Sequence, residues 1–489
     1  MGQTRLAVVE DGALCELYIE RRNTENLAGN VYLSRVENVL PGMNAAFVDI
    51  GLDKNGFLYA GELAPGLQAD GGGSRATPSP AIDRLVRPGQ QIMVQVAKAQ
   101  TGAKGPRLCG QVTLTGRLAA LMPGTRCAGV SRKIAREDER ARLHAIGQAL
   151  LAERGEGLIL RTASEGVPEA DIRSEYDALV AQWRRIQDLS RHAAAPRLLH
   201  ANADLALQAV RDRLCEDTDA LWTDDPALYA RLRQLAAACA PAWADRVLLH
   251  EGDVPLFDLY RVDAQADRAL QKYVWLKSGG SLVIEATEAL TVIDVNTGKY
   301  TGRRDLDETL FSANCEAARE IMRQLRLRDI GGIVVVDFID MRHEAHRQAL
   351  LELLREEARR DRNRVNVVGI TPLGLVELTR KKLRQPLAKQ LLHTCGHCAG
   401  NGAVPAHETT ARRVEREIWR RRRAGETNPI LVEAAEEVCG WLRTLGAPEG
   451  GAVYALPSPD LPEGEYRLSP ADERALPPNT TLLKRGKKP

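Results

Sequence analysis

Two apolar stretches, each broken by one aspartate, place the strongest constraint on this fold. Residues 290–296 read LTVIDVN and residues 333–341 read IVVVDFIDM. Between them, apolar residues at 306, 310, 313, 317, 321 and 325 recur at helical spacing, and Gly331-Gly332 ends that pattern. A strand, a helix and a second strand in this order form a βαβ unit with parallel strands. The run Ile333 to Val336 predicts a strand buried on both faces. Residues 281–286 add a further strand, joined to the next by a tight turn at Thr287-Glu288. The sheet is expected to be central to its domain.

Asp294 and Asp337 then fall near the carboxyl ends of neighbouring strands, where ligands gather in α/β sheets. A buried unpaired carboxylate is costly, and two side by side repel one another. A divalent cation answers both problems, and Mg²⁺ commonly takes one or two carboxylates together with phosphate oxygens and water. The substrate would then be a phosphate ester. Period 2 puts Asn296 on the same face as Asp294, where it can orient a water or a phosphate oxygen. The plainer alternative is that both aspartates only cap turns or pair with a nearby arginine.

A chain of 489 residues exceeds one ordinary core and implies about three domains. The N-terminal 6–19 stretch reads as two short strands around Asp11-Gly12. From Gly29 the pattern becomes short, alternating, Gly-punctuated strands up to about residue 98, as in a small antiparallel barrel. A Gly, Pro and Ser-rich stretch at 64–81 interrupts it and reads as a surface loop. Residues 110–200 mix strand-like and charged helical pieces, an α+β unit, and 201–244 has helical spacing throughout. No apolar run approaches the ~20 residues of a membrane span. The N-terminus has acidic residues where a signal peptide needs basic ones, so a cytoplasmic protein is expected.

Lys plus Arg (67) nearly cancels Asp plus Glu (65), so any electrostatic footprint must be local. Three basic clusters supply one: Arg380, Lys381, Lys382 and Arg384; the seven arginines of 412–423 around Trp419; and Lys484, Arg485, Lys487 and Lys488. Each alone reads as a solvated face, and together they favour a polyanionic partner. The nine cysteines follow no disulfide framework. Only Cys395 and Cys398, in CGHC, are close enough to act together. A structural zinc takes four protein ligands. The alternatives are a redox pair, a zinc completed by distant His or Cys, or one zinc shared between two subunits.

At these residues the chain resembles the ribonuclease E/G family. The carrying segments are NVYLSRVENVLPGMNAAFVDIGLDKNGFL, LILRTASEG, EALTVIDVNTGKYTG, LRLRDIGGIVVVDFIDM, GLVELTRKKLR and TCGHCAGNG. The resemblance implies a multidomain α+β chain. It has an RNase H-like subdomain in two parts (1–27 and 201–270), an inserted S1-like OB-fold barrel (28–110) and a 5′-sensor (111–200). A DNase I-like α/β catalytic subdomain (271–391), a zinc link (392–406) and a small C-terminal domain (407–489) follow.

By that resemblance Asp294 and Asp337 hold Mg²⁺ and Asn296 assists. Arg161, Thr162 and Arg364 clamp a substrate 5′-monophosphate, with Gly116 and Ala120 beside them; Ala120 stands where a bulkier residue is expected. Phe47, Phe57 and Lys104 hold RNA, though from the residues alone Phe47 also reads as core. Cys395 and Cys398 share one zinc with a second subunit, across a Gly-His spacer in place of a Pro-containing one, which implies a homodimer or higher oligomer. The implied activity is cleavage of single-stranded RNA to 5′-phosphate and 3′-hydroxyl ends, in ribosomal RNA 5′-end maturation and mRNA decay. The long scaffold of ribonuclease E is expected to be absent. A non-catalytic RNA-binding assembly factor is the alternative from another class, and a DNA endonuclease is a third.

Overall fold

The computed structural model describes residues 2–21, 27–63, 80–98, 105–297 and 306–484. It divides into two compact units, Met1–Ala388 and Lys389–Pro489.

The first unit opens with an antiparallel hairpin, β1 (Gln3–Glu10) and β2 (Ala13–Arg21). Asp11 and Gly12 both take positive φ, as a two-residue hairpin turn requires. Strands β3 (Val31–Leu40), β4 (Ala45–Asp49) and β5 (Gly56–Tyr59), helix α1 (Ile82–Leu85), and strands β6 (Gln91–Lys98) and β7 (Arg107–Cys109) come next. The order β3-β4-β5-β7-β6 closes on itself through β3–β6 pairing, giving a five-stranded barrel of the OB type. Its interior is Val36, Ala46, Val48, Leu58, Val94, Val96 and Leu108.

A four-stranded sheet of β8 (Leu114–Thr115), β9 (Ala119–Met122), β10 (Ala128–Val130) and β11 (Gly157–Leu160) is covered by α2 (Glu137–Arg154) and α3 (Glu169–His192). β12 (Arg197–His200) returns to pair with β3. The 201–244 stretch is not uniformly helical. α4 (Leu205–Arg213) and α5 (Pro226–Cys239) are separated by strand β13 (Leu221–Thr223), which pairs with β14 (Val247–Leu249). Asp225 accepts from the amides of Ala227 and Leu228 and restarts the helix at Pro226. α6 (Leu256–Leu259) and α7 (Val262–Ala269) lead on, and α7 packs under the first hairpin through Leu14, Leu17, Val262 and Ala266.

The last part of this unit holds six strands in the order β15-β16-β17-β18-β20-β19. They are β15 (Tyr273–Trp275), β16 (Ser281–Ala286), β17 (Leu290–Asn296), β18 (Gly332–Asp337), β19 (Val365–Ile370) and β20 (Val376–Arg380). α8 (Leu306–Leu327) connects β17 to β18, which run parallel as the βαβ pattern predicts. The helix stops at Leu327, four residues before Gly331, where Asp329 takes φ 49°. Gly332 already belongs to the strand.

One expectation fails here. β18 is not buried on both faces: Val334 and Val336 are fully covered, whereas Ile333 is half exposed and Asp337 is exposed. The reason is its far neighbour. β20 is antiparallel to β18, the sheet is mixed, and α8 and α9 (Glu344–Arg360) cover one side only.

In the second unit α10 (Leu387–Leu391), which begins in the first, leads to the CGHC segment. Helices α11 (His407–Arg423) and α12 (Glu436–Leu445) then pack on a sheet in the order β23-β21-β22-β24. Its strands are β21 (Ile430–Ala434), β22 (Val453–Pro457), β23 (Tyr466–Pro470) and β24 (Thr481–Leu482). Among the described residues no helix is long and apolar enough to cross a membrane.

Candidate active site and RNA-facing surfaces

Alternation along β17 sends Thr291, Ile293 and Val295 into the core and leaves Val292, Asp294 and Asn296 on the open face. The register sets Asp294 directly beside Asp337 on β18. Neighbouring strands lie about 4.8 Å apart, so the two carboxylates stand shoulder to shoulder, and like charges in that relation oppose the fold. Asn296 Nδ2 donates to Asp294 Oδ2 at 2.7 Å and fixes that carboxylate's rotation. The premise that the aspartates are buried is therefore corrected: both are exposed. What calls for a cation is their pairing, and two adjacent carboxylates on an accessible face suit a hydrated divalent ion. Among the described residues no third His, Cys, Asp or Glu joins them in a metal-holding group.

Three residues without a motif shape this site. Buried Asn314 on α8 donates to the Ile339 carbonyl at 2.7 Å and accepts from the Ile339 amide at 3.1 Å, pinning the chain just after Asp337. Glu316 accepts from the amides of Lys277 and Ser278 and holds the turn before β16. Gly280 lies in that turn, and a Cβ there would come within 2.7 Å of the Asn296 carbonyl. Neither side chain was marked by the sequence pattern, because each acts across a long separation.

The open face also carries aromatic side chains. Tyr273 and Trp275 on β15 pair in register with Val283 and Ser281, which pair with Asp294 and Asn296. Trp275 is 76% exposed. Leaving an indole that bare costs hydration free energy, so its position two strands from the carboxylates is a functional signal.

Of the residues expected at a 5′-phosphate, Arg161, Thr162 and Gly116 meet at one edge of the β8–β11 sheet. Arg161 donates to the Gly116 carbonyl and, at 2.8 Å, to Asp212 on α4. The hydroxyls of Thr162 and Ser131 are 3.0 Å apart. Gly116 is required by close approach, since a Cβ would come within 2.3 Å of Glu175 Oε1 and 3.0 Å of the Ala119 carbonyl. Burial pushes the Glu175 carboxyl above its usual range, although it accepts from the Leu118 and Ala119 amides. Burial also acts to raise Asp212, but Arg211 and Arg161 outweigh it and hold that carboxyl low. Ala120 lies on β9, opposite Ile159 and Thr115. Arg364 is exposed at the start of β19. Its loop is tied to the same edge, since Lys133 donates to the Asp361 and Arg362 carbonyls at 2.9 and 3.3 Å and Arg362 donates to the Asp212 carbonyl.

On the barrel, Phe47 and Phe57 pair across β4 and β5 with ring centroids 5.5 Å apart, and Tyr59 extends the row at 4.6 Å from Phe57. Phe47 is half-buried and stands outside the barrel core. Tyr59, with the Arg107 guanidinium 5.2 Å over its ring, was not anticipated; its i, i+2 spacing from Phe57 is the signal that could have found it. Lys104 lies outside the described residues.

Of the 380–384 cluster, Lys381 and Lys382 are exposed, but the two arginines are not free. Arg380 is buried, donating to Asp329 at 2.8 Å and Asp361 at 2.7 Å, and Arg384 pairs with Asp329 at 2.9 Å while lying over the Tyr18 ring. These arginines anchor the ends of β18 and β20.

In the second unit Cys395 is exposed and Cys398 partly so. The Cys395 thiol is held below its ordinary range by the Cys398 amide first, then the His397 amide and the Cys398 side chain. Two thiols in one turn fit half of a tetrahedral zinc site. Among the described residues no group of three or more ligating side chains completes it within this chain.

Comparison with known proteins places these features. The family model of the ribonuclease E/G family matches residues 113–383, more than half of the chain. Ribonuclease G of Salmonella typhimurium (strain SL1344) is 40% identical over 442 residues, 90% of this chain and 90% of that protein. Ribonuclease G of Haemophilus influenzae is 38% identical over 441 residues, 90% of each. Ribonuclease E of Escherichia coli (strain K12) is 36% identical over 409 residues, 83% of this chain and 38% of that protein. With the barrel, the mixed sheet and the paired aspartates where the motifs place them, the chain belongs to the ribonuclease E/G family.

Proposed function

We propose that this chain is an Mg²⁺-dependent endoribonuclease that cuts single-stranded RNA, leaves 5′-phosphate and 3′-hydroxyl ends, and serves ribosomal RNA 5′-end maturation and mRNA decay. The observation that carries the reading is the register pairing of Asp294 with Asp337 on an open sheet face, with Asn296 bonded to the first. Relatives named ribonuclease G and ribonuclease E support the substrate class.

Asp294 and Asp337 would hold Mg²⁺, which when bound supplies Lewis-acid stabilisation of the developing phosphorane charge and lowers the pKa of an attacking water. The two carboxylates would hold the ion and could accept a hydrogen bond from that water. Asn296 keeps the Asp294 carboxylate in one rotamer, so the geometry is in place before substrate arrives. The exposed Trp275 and Tyr273 offer ring faces to unpaired bases flanking the cut, and Phe47, Phe57 and Tyr59 do so on the barrel. Arg161, Thr162 and Arg364 would receive a terminal phosphate, the guanidinium fork and hydroxyl matching its oxygens. Phosphate would take over the bond that Asp212 now accepts from Arg161. Cys395 and Cys398, with the same pair from a second copy, would close one zinc site and make a dimer the smallest complete unit.

The deciding test is Asp294→Asn or Asp337→Asn, assayed on a labelled single-stranded RNA in Mg²⁺ alongside a binding measurement. Cleavage lost with binding retained supports the proposal. Unchanged turnover by either variant overturns it.

A further inference from the structure

Helix α11 in the second unit presents a surface that the proposed reaction does not use. Its core side is Thr410, Ala411, Val414 and Ile418, all buried against the β21–β22 sheet. At 100° per residue, Arg412, Arg416, Trp419 and Arg423 stand at i, i+4, i+7 and i+11 on the opposite side, and Arg413 and Arg420 flank them. All six are exposed.

Not every arginine here is available. The Arg422 guanidinium donates to the carbonyls of Glu426, Asn428 and Ala452 at 2.8, 2.7 and 3.1 Å and closes the helix end. Arg421 pairs with Glu417, and Arg412 with Glu415. Among the described residues Arg413, Arg416, Arg420 and Arg423 have no carboxylate within ion-pair distance. The Arg423 guanidinium lies 5.0 Å over the Trp419 ring.

Like charges one turn apart weaken a helix, and the helix dipole favours only Arg420 and Arg423 in the last turn, so folding alone does not account for the whole row. Guanidinium forks that match phosphate geometry, spread over about 16 Å of helix beside an exposed indole, form a track for a polyanion bearing stackable bases. An anionic membrane is a poorer fit. An interfacial helix must insert an apolar face, and that face of α11 is already inside its own core.

We propose that this face of α11 is a second RNA-binding site, one that engages single-stranded substrate through Arg416, Arg420, Arg423 and Trp419. Only the identity of the polyanion rests on the proposed function.

The test uses the full chain carrying Asp294→Asn, with a fluorescent single-stranded oligoribonucleotide titrated at several salt concentrations. Each phosphate contact to a single strand contributes about −0.7 to the slope of log affinity against log salt. The triple variant Arg416→Gln/Arg420→Gln/Arg423→Gln is expected to flatten that slope by about 2 with an unchanged circular dichroism spectrum. Trp419→Ala is expected to weaken binding at every salt, and Trp419→Phe to restore most of it. In chains with Asp294 intact, cleavage of an oligonucleotide too short to reach a second site should not change in the triple variant. An unchanged slope overturns the inference, as does a loss accompanied by altered oligomer mass in light scattering, or a loss confined to anionic vesicles. If the intact chain binds RNA as described but never cleaves it, the catalytic reading fails while this one stands.

Discussion

At the residue scale, the aspartates were legible because they interrupt apolar runs, yet the reason for their importance was not. The sequence pattern implied burial; the structure shows two exposed carboxylates forced together by strand register. Charge adjacency, which here arises from the parallel pairing, carries the proposed chemistry. Asn296 was found by period 2 alone and makes the bond that period allows. Its replacement by Ala is expected to lower kcat by about 10- to 100-fold, the usual cost of losing a group that orients a metal ligand, with little change in KM; steady-state kinetics decide. Trp275 had no motif, and an isolated tryptophan in a sequence does not say which side of a strand it occupies. Trp275→Ala should remove about 1–3 kcal/mol of binding, seen as a higher KM at nearly constant kcat. A fall confined to kcat would refute a stacking role.

Among elements, the barrel and the βαβ unit were readable from spacing, whereas the links between segments were not, since they join residues far apart in the chain. Glu16 on β2 shows such a link, accepting from Arg213 on α4 at 3.0 Å and from Arg326 on α8 at 2.9 Å. Burial acts to raise its pKa, but Arg213, Tyr18 and Arg326 hold it at about 2. A depressed carboxylate stabilises the fold fully above its unfolded value of 4.5, and that contribution fades as pH falls toward 2. Glu16→Gln should therefore cost about 3 kcal/mol at pH 7, since it takes the carboxylate from partly buried Arg213 and leaves buried Arg326 with Glu10 alone, and much less near pH 2. Denaturant titration at both pH values measures the difference. At the proposed 5′-phosphate site, Asp212 touches Arg161 and Arg211 through its carboxylate and Arg362 through its carbonyl. Asp212→Asn weakens the competitor for Arg161, so the preference for 5′-monophosphate over 5′-hydroxyl substrates should grow; a shrunken preference would contradict the competition.

For the whole molecule, the CGHC turn has two ligands where zinc wants four, and the described residues of this chain do not supply the others. Metal content near half an ion per chain is expected, with chelation converting dimers to monomers in analytical ultracentrifugation. One zinc per monomer would contradict sharing. The proposed dimer rests on an unmet coordination number and on the family resemblance, because no residue pattern in one chain records its partner.

The sheet of β15 to β20 is covered on one side only. α8 and α9 roof its inner side, while among the described residues Asp294, Asp337, Trp275 and Ile333 look outward from an open plane. A nuclease that nibbles from an end has to sense where the strand stops, as a blind channel does. A plane has no such ruler. A long polymer can be laid across it anywhere along its length, so position is chosen by grip at distant points, and the break falls in the interior of the strand.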